Sequence, residues 1–232
     1  MKTAFSVFLA IGFFLMTGCG ESRLEKRARL EEENTAAESL TLERRAVAGD
    51  AVAQNNLGAM YSEGQGVEQD FKEAVNWYRK AADQGYAGAQ YNLGQRYLRG
   101  EGVEKNHKDA MKWYRKASEQ GIALAQYNLG VMYDTGAGVP KDDKEAAKWF
   151  RKAADQGDAK SQFNLGVSYA RGEGVPKDIV TAYAWANIAA ANDQEKGKKL
   201  RDLIAKKMTP EQIAKGEALA KELVKKNPKL IE

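Results

Sequence analysis

Residues 89–117 read AQYNLGQRYLRGEGVEKNHKDAMKWYRKA, and close copies of this string lie 36 residues to either side. Asn-Leu-Gly recurs at Asn56, Asn92, Asn128 and Asn164, followed each time by a tyrosine, at Tyr61, Tyr97, Tyr133 and Tyr169. Gly-x-Gly-Val begins at Gly64, Gly100, Gly136 and Gly172, and all the tryptophans, Trp77, Trp113, Trp149 and Trp185, keep the same beat. No insertion breaks the period. A fixed spacing of this length is the signature of stacked supersecondary units, each too small to bury its apolar face alone.

Within a unit the spacing predicts two helices joined by a glycine loop. Ala53, Leu57 and Tyr61 fall at i, i+4 and i+8, one face of a first helix. Gly58 beside them costs helix propensity, so its recurrence predicts close approach of a second helix. The Gly-x-Gly then ends the first helix through left-handed backbone that glycine adopts cheaply. Asp70 with Glu73, Asn106 with Asp109 and Asp142 with Glu145 have the spacing of capping boxes opening the second helix. Ala74, Trp77, Tyr78 and Ala81 share that helix's inner face. This is core spacing for the tryptophans rather than a sugar-stacking surface. Arg79-Lys80 near its end complements the helix dipole, a simpler role than a basic stripe for acidic polymers.

These residues resemble the Sel-one-like repeat (SLR) family, a relative of the tetratricopeptide solenoids. Its unit has Ala-Gln-x-x-Leu-Gly-x-x-Tyr, then Gly-x-Gly-Val, then Ala-x-x-Trp-Tyr-x-Lys-Ala. Ala89-Gln90, Leu93-Gly94, Tyr97, Gly100, Gly102-Val103, Ala110 and Trp113-Tyr114-Arg115-Lys116-Ala117 fill it almost completely. The resemblance covers residues 49–192 as four repeats. It implies an all-α, α/α solenoid, a right-handed superhelix of helix-turn-helix units, with a role in protein–protein interaction.

A terminal repeat must hide one face and solvate the other. Residues 35–48 have the pattern of an N-terminal half-repeat, with Thr35 and Glu38 spaced as a capping box. In the fourth unit Arg151-Lys152 gives way to Asn187-Ile188 and Lys148 to Ala184, so its outer face turns apolar. Residues 193–232 are expected to cover it as C-terminal capping helices, one carrying Leu200, Leu203, Ile204 and Met208, the other Ile213, Ala220 and Leu223. Thr209-Pro210-Glu211-Gln212 is the start signal of the second.

The first residues read as a targeting segment. Met1-Lys2 is followed by an apolar run from Ala4 to Met16, too short to span a bilayer and of the length of a secretory signal. Leu15-Met16-Thr17-Gly18-Cys19 resembles a bacterial lipobox. Residues 1–18 are therefore expected to be a lipoprotein signal peptide, Cys19 the acylated residue, and residues 19–34 a charged tether. Cys19 is the only cysteine, so no intramolecular disulfide is available. Gly20, in place of aspartate, implies delivery to the outer membrane in the lipoproteins this resembles. The expected location is the bacterial cell envelope, on the periplasmic face of the outer membrane.

Composition excludes little chemistry by itself but offers none. The 36 basic residues nearly balance the 32 acidic ones, against a dedicated nucleic-acid protein. His107 is the only histidine and is expected as a solvated loop residue, so a metal or nucleophile cluster lacks a second member. No cofactor, no metal and no nucleic acid are expected, and the chain reads as non-enzymatic. Some cysteine-rich relatives are credited with β-lactam binding or hydrolysis, but no serine here has lysine three residues on. Glycan binding in cell-wall machinery is the other alternative.

Binding has a candidate surface. Opposite the core face of each first helix runs a second stripe, and by resemblance to tetratricopeptide-like solenoids it lines a concave groove for a protein or peptide partner. Its residues are Tyr91, Asn92, Gln95 and Arg99 in the second unit, Tyr127, Asn128 and Val131 in the third, and Phe163, Asn164, Val167 and Arg171 in the fourth. Tyr91, Tyr127 and Phe163 form an aromatic row of the kind enriched in binding hot spots. The asparagines either pair with a bound peptide's backbone or tie neighbouring repeats together. Tyr127 and Arg99, lying away from the core face, are expected to contribute little to packing between helices.

Overall fold

A computed structural model describes residues 24, 26, 27, 29, 40–192 and 194–231. The expected leader, Cys19, most of the expected tether and the Thr35–Glu38 pair lie outside these residues. Among the described residues the secondary structure is entirely helical. After a helical stretch at 40–47, the repeats supply α1 (Ala51–Glu63) and α2 (Phe71–Asp83), α3 (Ala87–Arg99) and α4 (His107–Glu119), α5 (Ala123–Thr135) and α6 (Asp143–Ala154), and α7 (Ala159–Arg171) and α8 (Ile179–Asn192). Then follow α9 (Gln194–Ala205), α10 (Pro210–Lys226) and a 3-10 turn at Pro228–Leu230. Each of α2, α4 and α6 packs between its own first helix and the first helix of the next unit. No helix of the described residues is long and apolar enough to cross a membrane.

The core follows the repeat. Ala89 and Leu93 of α3, Ala110, Tyr114 and Ala117 of α4, and Ala125 and Leu129 of α5 are completely buried. Gly94 faces the Tyr114 ring, and a Cβ placed there would stand 2.8 Å from it, so the glycine lets two helices touch that a side chain would separate. Trp113, Trp149 and Trp185 are buried, in keeping with core spacing. The first glycine of each Gly-x-Gly caps its helix in left-handed backbone, φ +74° at both Gly100 and Gly136. The second does something the repeat pattern did not disclose. Gly138, at φ +81°, lies against the first residue of α4 in the preceding repeat, where a Cβ would meet the His107 backbone at 2.8 Å. His107 is accordingly no loop residue: it is the first residue of α4, half-buried under the next repeat's glycine loop.

The expected capping boxes are half formed. Asp70, Asn106 and Asp142 each cap the N-terminus of their helix by accepting two backbone N–H groups. The reciprocal bond from the acidic residue is replaced. The N–H of Asp70, Asn106 and Asp142 donates instead to the carbonyl of Tyr61, Tyr97 and Tyr133, at 2.9–3.0 Å. A backbone acceptor brought in by the tight loop takes the donor that a glutamate would otherwise satisfy. At α10, which follows no such loop, Thr209 and Gln212 make the full reciprocal box.

The solenoid is closed at its C-terminal end. Most of α8 is buried, as its loss of charge predicts, beneath α9 and α10. Ile204 and Ala220 are buried and Leu200, Met208, Ile213 and Leu223 pack against the core. Leu203 departs from expectation: it is 59% exposed, because α9 meets the last repeat through the face carrying Leu200 and Ile204. The final turn tucks Leu230 into the core, and its carbonyl accepts from Gln162 at 2.8 Å and Asn192 at 2.6 Å.

Candidate functional site

Three side-chain systems brace the repeats, the first two by joining neighbouring units and the third within each second helix. The first is a glutamine ladder. Gln54, Gln90, Gln126 and Gln162 are buried, each on the first helix of its unit. Each donates to a carbonyl eight residues back, at the end of the preceding second helix: Ala46, Ala82, Ser118 and Ala154. Each also accepts from an amide at the end of its own second helix, Gln84, Gln120, Gln156 and Asn192, at 2.7–2.9 Å. Residues 40–47 therefore act as the preceding second helix of unit one, through the Ala46 carbonyl.

The second system joins Arg79 to Tyr97, Arg115 to Tyr133 and Arg151 to Tyr169, each guanidinium donating to the phenol oxygen of the next repeat at 2.8–3.0 Å. These arginines thus do more than complement a helix dipole: they reach into the neighbouring unit. The third stacks cations on the tryptophans, with Lys80, Lys116 and Lys152 at 3.8–4.4 Å from the rings of Trp77, Trp113 and Trp149.

The sequence-derived stripe runs along a partly exposed face of α3, α5 and α7. Tyr91, Asn92 and Gln95, Tyr127, Asn128 and Val131, and Phe163, Asn164 and Val167 are all half-buried, while Arg99 and Arg171 are exposed. Leu124 and Lys160 lie on the same face, Leu124 47% exposed. Lys160 stands over the Tyr127 ring at 5.8 Å. Arg99 and Arg171 sit at the helix ends, loosely facing Glu101 and Glu173 at 4.0 and 3.6 Å.

The stripe is not independent of the core. The Tyr91 ring lies 5.9 Å from Tyr114 and the Tyr127 ring 6.2 Å from Phe150, and both pack on the central core cluster. Tyr127 therefore contributes to helix packing, contrary to the expectation that it would contribute little: an aromatic at this position is long enough to reach down between helices. Arg99 is exposed at the helix end. Burial raises the Tyr91 phenol pKa, partly offset by hydrogen bonds from Gln95 and Asn128. Burial, with the nearby Asp158 carboxylate, raises that of Tyr127.

Asn92 donates to Asn55 of the preceding repeat at 3.0 Å, and the Asn128 amide approaches the Tyr91 and Tyr114 hydroxyls. Both asparagines thus serve contact between repeats, one of the two roles the sequence left open. Arg96 is a feature the sequence did not mark. It is buried, pairs with Glu101 at 2.6 Å and lies 5.5 Å from the Phe71 ring. Among the described residues no three His, Cys, Asp or Glu side chains gather as they would around a metal ion.

Comparison with known proteins agrees with this geometry. The family model described as Sel1 repeat matches residues 51–86, 87–122, 123–158 and 159–194. Among solved structures, a Sel1 repeat protein from Oxalobacter formigenes is 36% identical, with a TM-score of 0.68 over 75% of this chain and 72% of the other. The protective antigen c5321 of uropathogenic Escherichia coli, described as displaying an SLR fold, is 33% identical with a TM-score of 0.55 over 83% of this chain. The match spans about half of that antigen's length, 49%. A search of curated proteins found no match.

Proposed function

Since the chain belongs to the Sel1 repeat family, whose members generally mediate protein–protein interaction on a generally non-catalytic scaffold, we propose that it is an adaptor receiving a protein or peptide on the exposed face of α3, α5 and α7. The observation that carries this reading is the row Tyr91, Tyr127 and Phe163, a half-buried aromatic at the same place in the second, third and fourth repeats. Half-exposed aromatics anchored from below offer large contact area at small entropic cost. Arg99 and Arg171, exposed at the helix ends beside them, supply polar contacts. The leader and Cys19 support attachment by lipid on the periplasmic face of the outer membrane.

A photo-crosslinking residue at Leu124 or Lys160 should capture a discrete partner in cells, and one at Lys112 on the opposite face should not. For the captured partner, Tyr127→Ala and Arg99→Ala should each weaken binding, Tyr127→Ala by about thirtyfold. Arg99→Ala should leave the melting temperature unchanged, whereas Tyr127→Ala should lower it too. Capture from Lys112 alone, with both variants binding like the parent, would move the site to the other face. Cys19→Ser should release the protein from the membrane fraction, and its full retention would refute the lipid anchor.

A further inference from the structure

The outer faces of the second helices carry a charge pattern that the adaptor reading does not use. On α2 the positions at i, i+4 and i+8 are Lys72, Asn76 and Lys80, on α4 they are Lys108, Lys112 and Lys116, and on α6 Lys144, Lys148 and Lys152. All nine are exposed. Helical geometry sets neighbours in a row about 6 Å apart along the axis, and the 36-residue period repeats the row from unit to unit. In the fourth unit the equivalent places are Val180, Ala184 and Ile188, so the array stops where α9 and α10 cover the solenoid.

Several observations point to an anionic ligand. Lys80, Lys116 and Lys152 are stacked on indole rings, which fixes the ammonium groups and lowers the entropy lost when they meet a partner. Lys72, Lys108, Lys112 and Lys144 make no ion pair among the described residues, while Lys148 pairs with Glu145 at 3.1 Å. The carboxylates of these helices stand at their ends. Glu73, Asp109 and Glu145 lie in the first turns, and Asp83, Glu119 and Asp155 at the last. The middle turns are therefore purely cationic. An open cleft of about 490 Å³ over α4 is lined by Lys108, Lys112, Arg115 and Lys116, with Glu119 its single carboxylate.

We propose that this lysine array docks the repeats on an anionic phospholipid surface. The array is two-dimensional, three helices wide, which suits a plane of headgroups better than one linear polymer. Trp113 and Trp149 are buried under their lysines, so they offer no platform for sugar rings. Basic residues close to such a surface each add attraction that falls away within a Debye length. The inference stands apart from the reading of α3, α5 and α7 and from acylation of Cys19, and would place the protein-binding face away from the lipid.

The test uses the full chain, tethered by a C-terminal tag, and vesicles of phosphatidylcholine alone or with phosphatidylglycerol. The leader and any acyl chain act on both compositions, so the difference between them isolates the charge term. Binding to anionic vesicles should exceed binding to neutral ones and fade as salt rises from about 0.05 to 0.5 M. Substituting Lys108, Lys112, Lys144 and Lys148 together by glutamine should reduce the anionic preference at least about tenfold. The melting temperature should stay put, since these side chains are exposed. Equal binding to both vesicle types overturns the proposal. So does an anionic preference that survives the fourfold variant but is lost when Lys206, Lys207 and Lys215 become glutamine. Dextran sulfate bound through the four lysines, with anionic vesicles ignored, would overturn it in favour of a soluble polymer.

Discussion

Gly136 and Gly138 occupy one loop and share left-handed backbone, φ +74° and +81°, but only one of them faces the neighbouring repeat. Alanine at Gly136 meets nothing closer than 3.5 Å, ordinary contact, so its cost is the left-handed backbone alone, about 1–2 kcal/mol. Alanine at Gly138 carries that same cost and adds a Cβ at 2.8 Å from the carbonyl carbon and Cβ of His107, and 2.9 Å from its oxygen. Carbon atoms rest at about 3.5–4.0 Å, so the loop and the start of α4 must part by roughly 1 Å. Overpacking of that kind costs about 1–3 kcal/mol more. Urea denaturation should therefore place Gly138→Ala about 2–5 kcal/mol below the parent and Gly136→Ala about 1–2 below. Hydrogen exchange should show the extra loosening in the first turn of α4, which belongs to the previous unit. Equal losses for the two variants, or loosening confined to the loop itself, would refute the claim that the second glycine is there for contact between repeats.

The ladder predicts that Gln126→Leu costs about 1–3 kcal/mol in chemical denaturation, since it removes two hydrogen bonds, to the Ser118 carbonyl, which keeps the Gly121 N–H, and from the exposed Gln156 amide. A leucine variant as stable as the parent would show that the buried amide is dispensable. Removing the phenol oxygen by Tyr133→Phe should cost about 0.5–1.5 kcal/mol, and adding Arg115→Met should cost little more, because the first change already breaks their bond. Additive losses in that cycle would count against the clip. Burial raises the pKa of Tyr78 and Tyr114 above the usual phenol value. Below pH about 10 both folded and unfolded chains keep these protons. Above it the unfolded chain releases protons that the folded chain retains, so stability falls as pH rises. Thermal melts from pH 8 to 11 should show that decline, and Tyr114→Phe should make it shallower.

What the sequence disclosed and what it hid divide along physical lines. Period, helix positions and core face were legible because Leu93, Gly94 and Trp113 act through burial, and apolar burial has a sequence periodicity. The caps at Asp70, Asn106 and Asp142 were legible because a cap acts within three residues. Gln126 and Gln156, thirty residues apart, look like two ordinary polar side chains until the fold brings them together. Arg115 and Tyr133 were hidden for the same reason, and a local explanation by helix dipole was at hand. The one signal available was the period applied to polar residues: Gln84, Gln120 and Gln156 recur at 36, and Asn192 takes the fourth place. In the candidate site, which side chains share a face was readable from helix geometry. How far Tyr91 and Tyr127 reach below that face was not, because it depends on the aromatic partner in the following helix.

That depth bears on how a repeat array of this kind would respond to a partner. In a solenoid each unit touches only its neighbours, so stability is close to a sum of local terms and one interface can loosen without the rest. Here the exposed face is built from the same contacts that join units: Asn92 holds Asn55, Asn128 reaches Tyr91, and Tyr127 rests on Phe150. A partner lying across α3, α5 and α7 would press on three of these junctions together. Its binding free energy would add to the interfaces rather than to any one helix, since a ligand that binds only the stacked form stabilises stacking. Units that otherwise communicate pair by pair would then open together or not at all. Occupancy would thus stiffen the array through aromatic side chains that belong at once to the surface and to the core.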